Sequence, residues 1–162
     1  MTTQNPEAVA DVEALTVRRR IRIAAPRRAV WIAITDPEHI SRWFAPTALD
    51  ARGTGTIAFP DYGAVPLRVL STDEPRSITY QWNNDDALGS VPSAFDEATA
   101  TTFTFTLSET EEGAELEVVE SGFERTHSPA DNVAAHRQGW TQELDKLVTL
   151  LEDGISILEA QS

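Results

Sequence analysis

Residues 128–153 read SPADNVAAHRQGWTQELDKLVTLLED, and this stretch decides the fold. Val133, Trp140, Leu144, Leu147, Val148 and Leu151 recur at intervals of three and four, which gathers them on one side of an α-helix. Ser128 followed by Pro129 is a good helix start, because a hydroxyl can accept from a first-turn N–H and proline at the first position has none to orphan. Gly154 is the expected stop. At about 1.5 Å per residue the stretch makes a rod of roughly 39 Å, and its apolar side needs a sheet to lie on.

The sequence before it supplies strands. From 15 to 23 the side chains alternate, with Leu15, Val17, Arg19, Ile21 and Ile23 on one face and Arg18, Arg20 and Arg22 on the other. In so acidic a chain these arginines are expected to pair with carboxylates of a neighbouring strand rather than with phosphate. Pro26 opens a short helix through Thr35 that buries Val30, Trp31 and Ile34, and a second runs from Pro37 to Trp43 before Pro46 forces the backbone to extend. Strands are predicted over 53–59, 65–72, 77–83, 100–108 and 114–121, the fourth marked by Phe103, Phe105 and Leu107 alternating with Thr102, Thr104 and Thr106. Segment 84–99 reads as a loop or an insertion, long enough for a lid. Residues 1–14 lack a hydrophobic pattern and are expected to form a flexible leader outside the core, 15–153 the domain, and 154–162 a tail. Strands and helices are segregated along the chain, which implies an α+β protein.

Composition bounds the function. At 162 residues and 41% hydrophobic content the chain fills one core, and a net charge of −13 opposes attraction to nucleic acid and anionic lipid. It contains no cysteine, which excludes disulfides and thiolate metal sites and fits a cytoplasmic protein. No apolar run is long enough for a membrane span. The expected partner is a small molecule or another protein, not nucleic acid or a membrane, and no cofactor is expected.

If the last strand keeps its alternation, Leu116, Val118 and Glu120 point inward while Glu115, Glu117 and Val119 point outward. An inward Glu120 is a candidate general acid or base, or a ligand anchor, with burial expected to raise its pKa. His136 lies four residues before Trp140 and shares the inner side of the long helix. His39 and His127 lack the spacing of a zinc hydrolase, so no metal site is expected. A Gly-x-Ser-x-Gly elbow is absent, and Gly53-Thr54-Gly55 lacks the lysine and helix of a phosphate cradle. The best candidates for a site are aromatic: Trp43, Phe44, Tyr80, Trp82, Phe103, Phe105, Phe123 and Trp140 are expected to line one apolar volume together, with Glu120 and His136 as polar members.

Pro26 with Val30-Trp31, Thr35-Asp36-Pro37, Trp43-Phe44, the segment 73–82, Gly122-Phe123, and Gly139-Trp140 followed by Leu144 and Leu147 occur in an order that resembles the START-like, or SRPBCC, helix-grip superfamily. More narrowly, the chain resembles the bacterial group related to the C-terminal domain of the heat-shock-protein-90 ATPase activator. The resemblance covers about residues 15 to 153. It implies an antiparallel sheet of six or seven strands curled around the long C-terminal helix, often with a hydrophobic cavity between them, and it brings no transferable catalytic set. The leading expectation is binding of a small hydrophobic ligand without catalysis. The alternatives are a co-chaperone or protein-interaction module, and a cyclase- or hydrolase-like enzyme using Glu120, Tyr80 or His136.

Overall fold

A computed structural model describes residues 2–88 and 90–161, with 155–161 described by backbone alone. In chain order the elements are β1 (Val9–Asp11), β2 (Thr16–Ile23), α1 (Arg27–Thr35), α2 (Pro37–Trp43), β3 (Thr47–Leu49), β4 (Thr54–Phe59), β5 (Gly63–Asp73), β6 (Ser77–Trp82), β7 (Thr101–Thr110), β8 (Gly113–Ser121) and α3 (Pro129–Gln161). All eight strands form one antiparallel sheet in the order β1-β2-β8-β7-β6-β5-β4-β3. The hairpins from β3 to β6 build one half, and β2 and β8, far apart in the chain, close the other. The α+β, helix-grip expectation holds, with eight strands in place of six or seven.

The additional strands, β1 and β3, are three residues each. A stretch that short cannot display an alternation, so its pairing comes from the neighbour already in place. Residues 1–14 therefore do not lie wholly outside the core: Ala8 is buried and its N–H donates to Thr141 Oγ1 at 3.0 Å.

Alternation decides which face meets α3. Val17, Arg19, Ile21 and Ile23 of β2, with Leu116, Val118 and Glu120 of β8, are buried. All six helix residues of the apolar stripe, from Val133 to Leu151, are buried against them. On the outer face Arg20 reaches Glu117 at 3.0 Å, while Arg18 and Arg22 lie 3.9 Å from Glu117 and Glu115. These pairs are largely exposed and individually weak.

Arg19 is the exception on the inner face. It is 2% exposed, its Nε donates to Pro6 O at 2.8 Å, its Nη1 to Thr141 O at 2.8 Å, and its Nη2 lies 2.7 Å from Asp145 Oδ1. One guanidinium thus holds the N-terminal segment and α3 to β2, using donors in a planar fork.

Both ends of α3 differ from expectation. Ser128 enters with a left-handed backbone, φ 51°, and contributes its carbonyl, which accepts from Asn132 N–H at 3.1 Å. At the other end the helix runs through Gly154 to Gln161, where a stop and a tail were predicted. Gly154 lacks the positive φ that a left-handed glycine cap requires, so it sits within the helix at a modest propensity cost. Ser162 lies outside the described residues. Gly122, by contrast, has φ 93° and turns the chain sharply out of β8 toward α3.

Candidate functional site

Alternation along β8 carries Glu120 to the inner face, where it is fully buried. An isolated carboxylate there would cost several kcal/mol and take up a proton instead. Four donors prevent this. Oε1 accepts from His136 Nδ1 at 2.8 Å and Trp140 Nε1 at 2.9 Å, and Oε2 accepts from Trp82 Nε1 at 2.8 Å and Thr101 Oγ1 at 2.6 Å. His136 and Trp140 come from α3 at a spacing of four, which puts both on one face, while Trp82 ends β6 and Thr101 begins β7.

The charge state follows from this geometry. Burial pushes the Glu120 carboxyl up, but the His136 charge and the hydrogen bonds outweigh it and hold the group below its ordinary value. The expectation of a raised Glu120 pKa is thereby corrected: residue spacing shows burial, not what lies opposite. For His136 burial works downward, yet Glu120 and Asp86 win and raise it to about 10. His136 is an imidazolium at neutral pH, so its Nε2–H donates to Asn84 O at 2.9 Å, with Asp86 Oδ2 at 3.3 Å.

That second contact fixes the loop after β6. Asp85 accepts from His127 N–H at 2.9 Å and from Asn132 Nδ2 at 2.8 Å, and its carboxyl is held low despite burial by these donors. Asn132 Oδ1 in turn accepts from Asp86 N–H at 2.8 Å. At the loop's base Asn83 Nδ2 donates to Asp96 O at 2.7 Å and Asn83 Oδ1 accepts from Asp96 N–H at 2.8 Å, so one side chain closes the stem. Residues 84–86 are thereby docked on the first turns of α3.

Between this loop, α3 and the ends of α2 and β4 lies a cavity of about 260 Å³. Its walls are the rings of Phe44, Phe59, Tyr62, Trp82 and Trp140. The helix side presents Ala135, His136, Gly139 and Glu143, and the rim carries Asn84 and Asp86. Gly139 makes the room: a Cβ built there would meet no atom within 4 Å. Trp82 and Trp140 stack at 5.9 Å, and Phe44 stands at 5.5 Å from Trp140.

Eight of the ten predicted site residues divide between two spaces, with Phe44 and Trp82 lining both. Phe44, Trp82, His136 and Trp140 border the cavity. Trp43, Tyr80, Phe103 and Phe105 surround a residual space of about 10 Å³ deeper in the core, too small for a ligand. The expectation of one shared aromatic volume is corrected accordingly, because cross-strand neighbours such as Tyr80 and Phe103, stacked at 5.2 Å, fill one another's space. Trp43 Nε1 donates to Ala33 O and Tyr80 Oη to Ile34 O, so both polar handles are spent on α1. Phe123 packs edge-on against His136 at 5.1 Å, and Glu120 sits behind the indoles rather than in the opening. Sequence reasoning missed Phe59, Tyr62, Asn84, Asp86 and Glu143. The one available signal was the polar run Asn83-Asn84-Asp85-Asp86 directly after a buried strand. Among the described residues no group of three or more His, Asp or Glu side chains could hold a metal ion.

Residues 24–152 match the model of the family described as Activator of Hsp90 ATPase homolog 1-like protein. The chain belongs to that family. Among solved structures, this family member is similar to a protein from Mesorhizobium loti at 24% identity and TM-score 0.68, covering 85% of this chain and 97% of that one. It is also similar to a protein from Arthrobacter aurescens, at 18% identity and TM-score 0.69, with 93% of each chain covered. A third similar structure is CalU16 from Micromonospora echinospora, at 25% identity and TM-score 0.61, covering 83% of this chain and 73% of that one. No curated protein matches it. These likenesses establish the fold, and no helix among the described residues is long and apolar enough to cross a membrane.

Proposed function

We propose that this protein binds a small, largely apolar molecule in the cavity between α3 and the sheet, without catalysis or a cofactor, as a cytoplasmic binding protein. The observation that carries the reading is the unfilled volume of about 260 Å³ at Gly139, walled by aromatic rings, where the aromatic core behind it leaves only about 10 Å³. Apolar walls with a few polar groups at one end are the usual character of a small-molecule site. An engineered cavity of about 150 Å³ holds benzene, so this one suits a body of one or two rings.

The enzyme alternative draws on the inward Glu120 and His136. Their shifts run apart, one down and one up, which favours a fixed ion pair over a group that exchanges protons near neutrality. Both oxygens and both ring nitrogens are also committed to named partners. The noncatalytic reading is supported on that ground.

Native mass spectrometry of protein purified from its own host, followed by denaturing extraction, tests the proposal. A stoichiometric small companion is expected with the wild type and not with Gly139→Leu, whose Cβ has no neighbour within 4 Å and whose longer side chain extends into the opening. Bare protein in both cases, with no ligand recovered from a metabolite extract, overturns it.

A further inference from the structure

Resting on the reading of this cavity as a binding site, we propose that its ligand is an aromatic amine: a body of one or two rings bearing a protonated nitrogen directed at Asp86 and Glu143.

The argument is an inventory of hydrogens. Apart from the Asn84 amide, the donors in the wall are two indoles, one imidazolium and one phenol. Trp82 Nε1 and Trp140 Nε1 both donate to Glu120, His136 donates to Glu120 and Asn84 O, and Tyr62 Oη donates to Asp85 O at 2.7 Å. Every one of these hydrogens is spent inside the protein. What the wall offers a ligand is acceptors, the Asp86 carboxylate and Glu143, whose carboxyl burial pushes up against the pull of Lys146, beside the Asn84 side-chain amide, which can present either of its ends.

Charge points the same way. Glu120, Asp86 and Glu143 stand against two cations, His136 and Lys146, the latter paired with Glu143. The whole chain adds a net charge of −13, which draws cations and repels anions. A carboxylate or phosphate entering here would meet carboxylates and find the wall's ring N–H and O–H groups already used. An ammonium would receive charge-assisted bonds at the rim and lie over the faces of Trp82, Trp140 and Phe44, where the ring quadrupole favours a cation.

Calorimetric titration of the intact protein at pH 7 with 2-naphthylmethylamine, 2-naphthylmethanol and 2-naphthoate tests this. The three share one ring system and differ in charge. The amine is expected to bind at least tenfold more tightly than the alcohol, with the naphthoate weakest, and the amine's advantage should shrink toward unity in Asp86→Asn/Glu143→Gln and in high salt. Equal binding of amine and alcohol, or tighter binding of the naphthoate, overturns the amine inference and leaves the cavity as a binding site. Failure of all three to bind at millimolar concentration, with no difference between wild type and Gly139→Leu, overturns both.

Discussion

Nδ1 of His136 lies 2.8 Å from Oε1 of Glu120, and both residues are at least 95% buried. The contact joins the second turn of α3 to the end of β8. It also explains how an acid tolerates the centre of an aromatic core: the compensating charge is built on the facing helix.

Glu120→Gln should destabilise the protein by about 3 to 5 kcal/mol, because it leaves His136 buried without its counter-charge. It also sets an amide NH₂ against donors that previously met a carboxylate. Urea unfolding monitored by tryptophan fluorescence measures the loss, and an unchanged midpoint would contradict the ion pair.

The same pair predicts a pH profile. His136, raised from 6.5 to about 10, contributes stability that is complete below 6.5, shrinks above it and is gone beyond about 10. Glu120, lowered from 4.5, contributes stability that is complete above 4.5 and is lost as pH falls through its folded value. Their joint contribution is therefore largest between 4.5 and 6.5. The stability gap between wild type and Glu120→Gln/His136→Gln should be widest near pH 5.5 and should narrow markedly by pH 9.5, as chemical denaturation at the two pH values will show.

Trp140→Ala should cost about 3 to 5 kcal/mol, since the ring is 2% exposed and packs against Phe44, Trp82, Phe103 and Phe105. Trp140→Phe separates the two parts of that loss: it keeps an apolar ring but removes one donor from Glu120, worth about 1 to 3 kcal/mol. Thermal unfolding of both variants checks the order.

How much of this was legible follows from range. The stripe on α3 and the alternation of β2, β7 and β8 are local patterns, and each predicted face proved correct, including Glu120 and Arg19 turned inward. The pairing of Arg18, Arg20 and Arg22 with Glu115 and Glu117 was legible because helix-grip topology makes β2 and β8 neighbours. The sign of the Glu120 shift was not, since it depends on His136, Trp82 and Thr101 arriving from three other elements. Nor was the cavity: Tyr62 and Asp86 reach it from a turn and a loop, where no periodicity aims a side chain, and Phe59 from the last position of β4. Gly139 figured in the sequence only as the neighbour of Trp140, although it is the residue that leaves the space.

Gly139→Ala should raise stability by about 0.5 to 1 kcal/mol, because the helix gains propensity and the added methyl meets nothing within 4 Å. A rise in melting temperature is the expected reading. A fall would mean that the opening is narrower than described.

Arg19→Met should destabilise far more than Asp145→Asn. The arginine is buried and serves Pro6, Thr141 and Asp145 together, whereas Asp145 is 59% exposed in its side chain and its loss is cushioned by water. Hydrogen exchange should show the N-terminal segment and β1 opening in Arg19→Met and staying protected in Asp145→Asn.

The amide clasp of Asn83 on Asp96 has a consequence for how this protein can change. With the stem shut by one side chain and residues 84–86 anchored on α3, the length of the loop is uncoupled from the register of β6 and β7. Lengthening it costs little, about 0.6 kcal/mol per doubling of a flexible loop. The loop beside the cavity can thus change in length while the sheet behind it keeps its register.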